Sequence, residues 1–452
     1  MKTKVWLSLF FISSMVCTSC AQPVAMTEPV SKIPLEQDTL EMIPDFSYAV
    51  TAQYPHVFID QMGYRSADKK KAYFWGEGLE ESFVVENAVS GTEAFTGTLH
   101  KVKEEDGKTL YVGDFSGLLQ EGNYVINHPT LGDSYEFVVK DSVYEQEFFA
   151  MEKKAKEHTY RDVSELAYVL ANMMFIEQMY GPEKVDTAFI NEKLTMLLHS
   201  YEEKSGAFYN EIYREPIVAQ QGANGEELPA GTISLTTTAQ MAGILAQYSV
   251  LYKEEDPAFA NQCLAIAQKA YRYMEQYKAN TDTDAWYYAA VSLYRATNQY
   301  KYRNAIVEYD TVDSALHSST PQGYTILADF TYLSTPWGTD YNRCDVLLKR
   351  YMDRAQSISV KSKQENFYVP ENIDTMTNKK ILEDMVVLGV VNHVLSGQEY
   401  AGVQRNYIHY LSGVNTQARN ILTQKMTASV DETELDIADI ARLMVIFGNL
   451  CE

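Results

Sequence analysis

The stretch SLTTTAQMAGILAQYSVLYKEEDPAFANQCLAIAQKAYRYM, residues 234–274, decides how most of this chain folds. From Leu235 to Lys253 it places Met241, Leu245, Tyr248 and Tyr252 at steps of three and four, the spacing of an amphipathic helix. Asp256-Pro257 opens a second helix, with proline at a permitted first-turn position. Phe259, Cys263, Ile266, Ala270 and Tyr273 fall on one side of that helix. The pattern recurs near Trp286 to Ala296 and over residues 381–396, 400–412 and 433–448. It begins near residue 145, so roughly 300 residues of helix joined by loops could form a ring of helix pairs. Periodicity alone does not separate such a ring from a solenoid.

Upstream the character changes. Val57-Phe58-Ile59, Ser82-Phe83-Val84-Val85, Leu110-Tyr111-Val112 and Tyr135-Glu136-Phe137-Val138-Val139 recur between Gly, Asp and Asn turn signals. Strands at that spacing predict a small β-sandwich. Residues 21–53 hold Pro23, Pro29, Pro34 and Pro44 and read as a tether. Lys2 and Lys4 precede an apolar run from Val5 to Val16. A bilayer span needs about 20 residues, so this shorter run reads as a signal peptide. Cys17-Thr18-Ser19-Cys20-Ala21 resembles a bacterial lipoprotein signal with Cys20 acylated, although Cys17 stands where leucine is usual. Ordinary cleavage near Ala21 is the alternative. The expected organisation is a signal at 1–20, a tether at 21–53, a sandwich at 54–143 and a helical domain at 144–452. The expected location is the bacterial cell envelope, at the outer membrane or cell surface, with a lipid anchor as its sole membrane contact.

Composition narrows the partners. Over 452 residues, 38 Lys and Arg face 61 Asp and Glu, a net charge of −23. So acidic a surface argues against nucleic acid or anionic lipid and suits a neutral ligand such as carbohydrate. Beyond the signal only Cys263, Cys344 and Cys451 remain, without metal-ligand spacing, so neither a disulfide framework nor a metal site is expected. The 33 tyrosines offer flat faces with polar tips, on which sugars can stack or which can simply fill a core.

Particular segments suggest a family. Ile59-Asp60-Gln61-Met62-Gly63-Tyr64 resembles the N-Q-x-G-Y opening of the immunoglobulin-like domain that precedes many glycoside hydrolase family 9 catalytic domains. Asp114-Phe115-Ser116, then Gly122-Asn123-Tyr124, resembles a later D-F-S…G-x-Y segment. Ser134-x-x-Phe137 with Asp141-x-Val143-Tyr144 resembles that domain's exit. Residues 234–274 are similar to a family helix pair, and Tyr410-Leu411-Ser412-Gly413-Val414-Asn415 to its Y-L-x-G-x-N. The resemblance spans residues 57–450 and implies an immunoglobulin-like β-sandwich followed by an all-α (α/α)6 barrel. It is strongest in segments that carry fold rather than chemistry.

Family 9 enzymes typically hydrolyse β-1,4-glucans with inversion, which needs two carboxyl groups roughly 6.5–9.5 Å apart. The family's base is the second aspartate of D-A-G-D, and its acid is a glutamate in N-E-x-x-I. Here Asp162-x-x-Glu165 falls at the first place, with Ser164 where the family has glycine. Residues three apart share a helix face, so both carboxylates could hold one water. The same spacing is a capping box, with Asp162 as N-cap and Glu165 reaching back. Thr433-Glu434-Leu435-Asp436-Ile437 aligns with the second motif and makes Glu434 the candidate acid, while Asp431 to Glu434 is again a capping pattern. A working acid needs a raised pKa from an apolar wall or a like charge. The family's histidine and arginine pair has no counterpart, since Thr416 to Asp431 holds no histidine and Arg419 as its lone arginine.

Trp337-Gly338 resembles the family's W-G-S-N, and Trp337, Trp286 and Tyr288 are candidate sugar platforms, with barrel core as the alternative for each. His393 and His409 read as packed histidines. Family members often bind calcium, but no EF-hand spacing is present and no cofactor is expected. Two functions stay open from the residues: an inverting hydrolase of β-1,4-glucan or a related oligosaccharide, and a catalytically inactive glycan-binding lipoprotein. A structural envelope protein using only the barrel's shape is a third, which a filled barrel mouth would favour.

Overall fold

A computed structural model describes residues 56–105, 107–214, 231–277, 283–312, 323–363, 367, 369, 376–415, 418–422 and 435–451. The first part is an antiparallel sandwich of β1 (Val57–Phe58), β2 (Lys71–Gly76), β3 (Ser82–Asn87), β4 (Glu93–Glu105), β5 (Lys108–Asp114), β6 (Gly122–His128), β7 (Gly132–Asp133) and β8 (Phe137–Val139). Strand order is β1-β2-β5-β4-β3-β6-β7, with β8 pairing further along the same edge of β6 as β7. The long β4 serves both faces, because Phe95 to Thr98 pair with β3 and Leu99 to Glu105 with β5. The bend where it changes partner needs room. A Cβ on Gly97 would stand 2.3 Å from the Phe83 ring, and one on Gly113 of β5 2.5 Å from it. Phe74, Phe83, Val85, Phe115, Ile126, Phe137 and Val139 fill the space between the faces.

The helical part holds α1 (Val143–Glu157), α2 (Val163–Tyr180), α3 (Thr187–Leu197), α4 (Leu235–Leu251), α5 (Pro257–Gln276) and α6 (Thr283–Thr297). It continues with α7 (Tyr300–Val312), α8 (Gly323–Leu333), α9 (Tyr341–Ser362), α10 (Asn378–Val394), α11 (Ala401–Leu411) and α12 (Ile437–Leu450). A short hairpin of β9 (Tyr201–Glu202) and β10 (Ala207–Phe208) separates α3 from α4. The helix starts follow local chemistry. Asp162, Asp186, Ser234, Asp256, Asp340, Thr377 and Asp436 each accept the N–H three residues on, which satisfies a donor that the helix cannot.

The even-numbered helices close a ring. Each of α2, α4, α6, α8, α10 and α12 packs on the next, and α12 returns to α2. The odd-numbered helices lie outside, each against an even neighbour. Burial agrees with this arrangement: α8, α10 and α12 are buried nearly all round, as helices enclosed on every side must be. Contacts between inner helices occur turn against matching turn. Tyr168, Glu383 and Arg442 meet early in α2, α10 and α12, while Phe175, Phe330 and His393 meet late in α2, α8 and α10. The inner helices therefore run parallel, with their N-termini gathered at one mouth. This is the sandwich followed by an (α/α)6 barrel that the sequence predicts.

Two of the family-like segments, residues 59–64 and 410–415, meet each other. The Gln61 backbone N–H donates to Ser412 O at 3.0 Å, and Gln61 Nε2 to Ala418 O at 2.8 Å. Asp60 is fully buried; its Oδ1 accepts from the N–H groups of Met62 and Gly63, and its Oδ2 lies 2.6 Å from His409 Nδ1. Gly63 and Gly413 adopt φ of +117° and +130°; a Cβ on Gly413 would strike Gln61 across the junction, and one on Gly63 would strike Val138 of β8. These motifs weld the sandwich to α11. His409 is a packed histidine, and His393 packs its ring against Tyr180 and Phe330.

Candidate active site

The mouth at the inner-helix N-termini gathers the polar groups. Asp162 caps α2, its Oδ1 accepting the Glu165 N–H at 2.9 Å. The chain before it is held to the segment after β10, where Val163 N–H donates to Asn210 O at 2.8 Å. Half of a capping box is thus formed. The return half is not: among the described residues Glu165 Oε2 is buried without a hydrogen-bond partner. Burial first, and then the Glu165 charge, push the Tyr160 hydroxyl well above its ordinary pKa. Ser164, where the family has glycine, shares a 3.0 Å hydrogen bond with Thr237, which donates to Asn210 Oδ1 at 2.9 Å. That substitution ties α2 to α4.

Beside Glu165 on the same face of α2 stands Tyr168, one turn on. Its ring lies under the Arg442 guanidinium, 5.2 Å from the centroid, and packs edge-on against Tyr324 of α8. Arg442 reaches Asp439 at 3.0 Å and Glu383 at 3.7 Å, and all three are buried. Burial raises the Glu383 pKa, with Arg442 opposing. Burial also raises that of Asp439, with Asp436 adding and Arg442 opposing. For Arg442, burial alone would lower the pKa, but Tyr168, Glu383 and Asp439 more than offset it and the charge stays. A carboxyl group held above its usual range keeps its proton nearer neutrality and can donate it to a leaving oxygen.

The other candidate residues fall elsewhere. Trp286 and Tyr288 are 5% and 1% exposed and sit in the barrel core, so they are packing rings rather than platforms. Tyr288 lies against Gly243 of α4 and Tyr324 of α8 because adjacent inner helices approach too closely to leave a groove there. Trp337 is 40% exposed, but it follows the C-terminus of α8, at the end of the ring away from Asp162 and Glu165. Its likeness to W-G-S-N therefore does not bring it to the mouth. Glu434 and Cys20 lie outside the described residues. The N-cap of α12 is Asp436, not Asp431, since the helix begins at Ile437. Sequence reading missed Glu383, Asp439 and Arg442. The three-residue spacing of Asp439 and Arg442 was a visible signal, whereas Glu383 lies in a helix that reads as plain core.

Two family models match this chain. Residues 223–426 match glycosyl hydrolase family 9, and residues 52–133 match the cellulase N-terminal ig-like domain. The chain is thus similar to family 9 glycosyl hydrolases over its helical part and to the cellulase N-terminal domain over its sandwich. Solved structures share the fold. A metagenome-derived glycoside hydrolase family 9 endoglucanase aligns with a TM-score of 0.67 at 19% identity, covering 80% of this chain and 84% of that one. A family 9 protein of Bacteroides ovatus aligns at 0.69 and 17%, covering 88% and 99%. A single mutant of an Alicyclobacillus acidocaldarius endoglucanase aligns at 0.64 and 16%, covering 81% and 83%. No curated protein matches in sequence. The family resemblance supports a cellulase-type glycoside hydrolase. The family 9 match spans Trp286, Tyr288 and Trp337, whereas Asp162, Glu165 and Glu434 lie outside it.

Proposed function

We propose that this protein hydrolyses β-1,4-linked glucan or a related oligosaccharide with inversion, tethered to the bacterial cell envelope through a lipid on Cys20. Glu165 acts as the base on the attacking water and Glu434 as the acid on the glycosidic oxygen, with Asp162 fixing the turn that presents Glu165. One observation carries this reading: a buried Glu165 carboxylate oxygen without a partner among the described residues, in the first turn of an inner helix at the barrel mouth. Buried polar atoms are almost always paired, and an orphan in such a place calls for a ligand or a water. The signal-like N-terminus and the acidic surface, which disfavours charged polyanions, support the envelope setting and a neutral substrate.

The test is release of reducing ends from soluble β-1,4-glucans, with the anomer of the product followed by NMR, for the parent, Glu165→Gln and Glu434→Gln. Release of the inverted anomer that vanishes in both variants supports the assignment. No release by the parent at high enzyme concentration sinks it. A second reading, glycan binding without hydrolysis, is favoured by Arg442, which neutralises the carboxylates nearest to Glu165's helix face and occupies space at the mouth.

A further inference from the structure

Outside the ring, a cleft of about 370 Å³ lies between α7 and α9, within the range of small-ligand sites. Arg303, Asp310, Asp340, Asn342 and Arg343 supply its polar groups. The Arg343 side chain is 9% exposed. Its Nη2 donates to the Tyr287 hydroxyl at 2.7 Å and lies 2.8 Å from Asp310, while the guanidinium packs over the Tyr332 ring. Its Nε and Nη1 have no hydrogen-bond partner among the described residues. Val307 and Val346, both more than half exposed, form apolar walls. On the segment entering α9, Trp337 and Tyr341 stand 40% and 88% exposed.

We propose that this cleft is a second carbohydrate site, for a neutral oligosaccharide, at the end of the barrel away from the mouth. Two arginines face two aspartates, so the cleft is locally neutral and holds no net attraction for a phosphate or carboxylate ligand. A purely apolar ligand would leave guanidinium donors without acceptors, which is unfavourable in a sheltered place. A pyranose matches both halves: its hydroxyls suit planar guanidinium, carboxylate and amide edges, and its C–H faces suit the valines; a longer oligosaccharide would extend to the exposed Trp337 ring, which lies outside the cleft's lining. The inference rests on the carbohydrate part of the reading above and is independent of catalysis.

The test is affinity electrophoresis of the full chain through gels containing a soluble β-glucan, in the Glu165→Gln background so that the polymer is not cut. The exposed Arg303 and Asn342 allow substitution without disturbing the core. Loss of both through Arg303→Ala with Asn342→Ala should weaken retardation about tenfold or more. Trp337→Ala should weaken it as well. The same substitutions in the otherwise unaltered chain should leave cleavage of a short β-1,4-glucose oligomer at the parental rate. No retardation of the Glu165→Gln chain, or retardation equal in all variants, overturns the proposal. Retardation that needs Arg303, Asn342 and Trp337 in a protein that never hydrolyses glucan sinks the catalytic reading and leaves this site standing. Hydrolysis with retardation indifferent to these residues does the reverse.

Discussion

The two ends of the inner ring are built from opposite materials. At the C-terminal end, Phe175, Phe330, His393 and Tyr180 interlock edge to face, with ring centroids 5.1–5.8 Å apart. At the N-terminal mouth, the ionisable side chains of Glu383, Asp439 and Arg442 are buried around Tyr168, and Glu165 keeps an oxygen without a partner among the described residues. Both ends are enclosed by the same six helices, so packing alone does not require the difference. An aromatic layer stabilises by removing apolar area from water, about 25 cal/mol per Å². A buried ion cluster gives little net stability, because desolvation offsets its attraction. The contrast teaches that one end is built to maintain the fold, while the other holds buried polar groups that packing does not need.

The sharpest way to break this contrast is Glu165→Gln. Removing an acid–base group should lower kcat on β-1,4-glucan about 10²- to 10⁴-fold, with the melting temperature unchanged or higher. A large fall in melting temperature would instead make Glu165 part of the scaffold. The complementary test is Phe330→Ala, which should destabilise by about 3–5 kcal/mol in a urea titration. A loss below about 1 kcal/mol would show that the aromatic layer is loosely packed.

Arg442 separates pairing from net stability. Arg442→Ala leaves Glu383 and Asp439 facing each other and should destabilise by about 3 kcal/mol. Arg442→Met combined with Glu383→Gln and Asp439→Asn should recover most of that loss, while any glucan turnover stays depressed. A triple variant as unstable as the single one would show that the cluster is a structural necessity.

The smallest expected effect is one of pH. Burial raises the Glu383 pKa in the folded chain above its ordinary 4.5, so the folded state binds the proton more tightly than the unfolded one. Stability from this group is therefore full below about pH 4.5 and falls as pH rises through the folded value. Glu383→Gln should flatten the decline of stability with pH above 4.5, as read from urea midpoints across pH. An unaltered slope would mean that Arg442 holds Glu383 ionised.

Much of the architecture was legible. Asp256-Pro257 opens its helix where the sequence places it, and α4, α5, α6, α10 and α11 lie where the apolar spacing predicts them. The capping-box reading of Asp162 and Glu165 was half realised, since a side chain's choice between its own backbone and a ligand depends on neighbouring helices. Trp286 and Tyr288 looked like platforms because an aromatic residue on an inner helix has the same sequence signature whether its ring meets solvent or a neighbour.

By itself the sequence determined what is local: helix and strand periods, caps, turn glycines such as Gly63 and Gly413, and two segments similar to a family. Only the tertiary structure decided that these two segments are the two sides of one weld, that Trp337 lies away from the mouth, and that Arg442 meets Glu383, 59 positions earlier in the chain. The physical reason is that caps and periods are set within a few residues, where geometry is fixed by the backbone. Charge compensation and exposure depend on which faces the closed ring brings together.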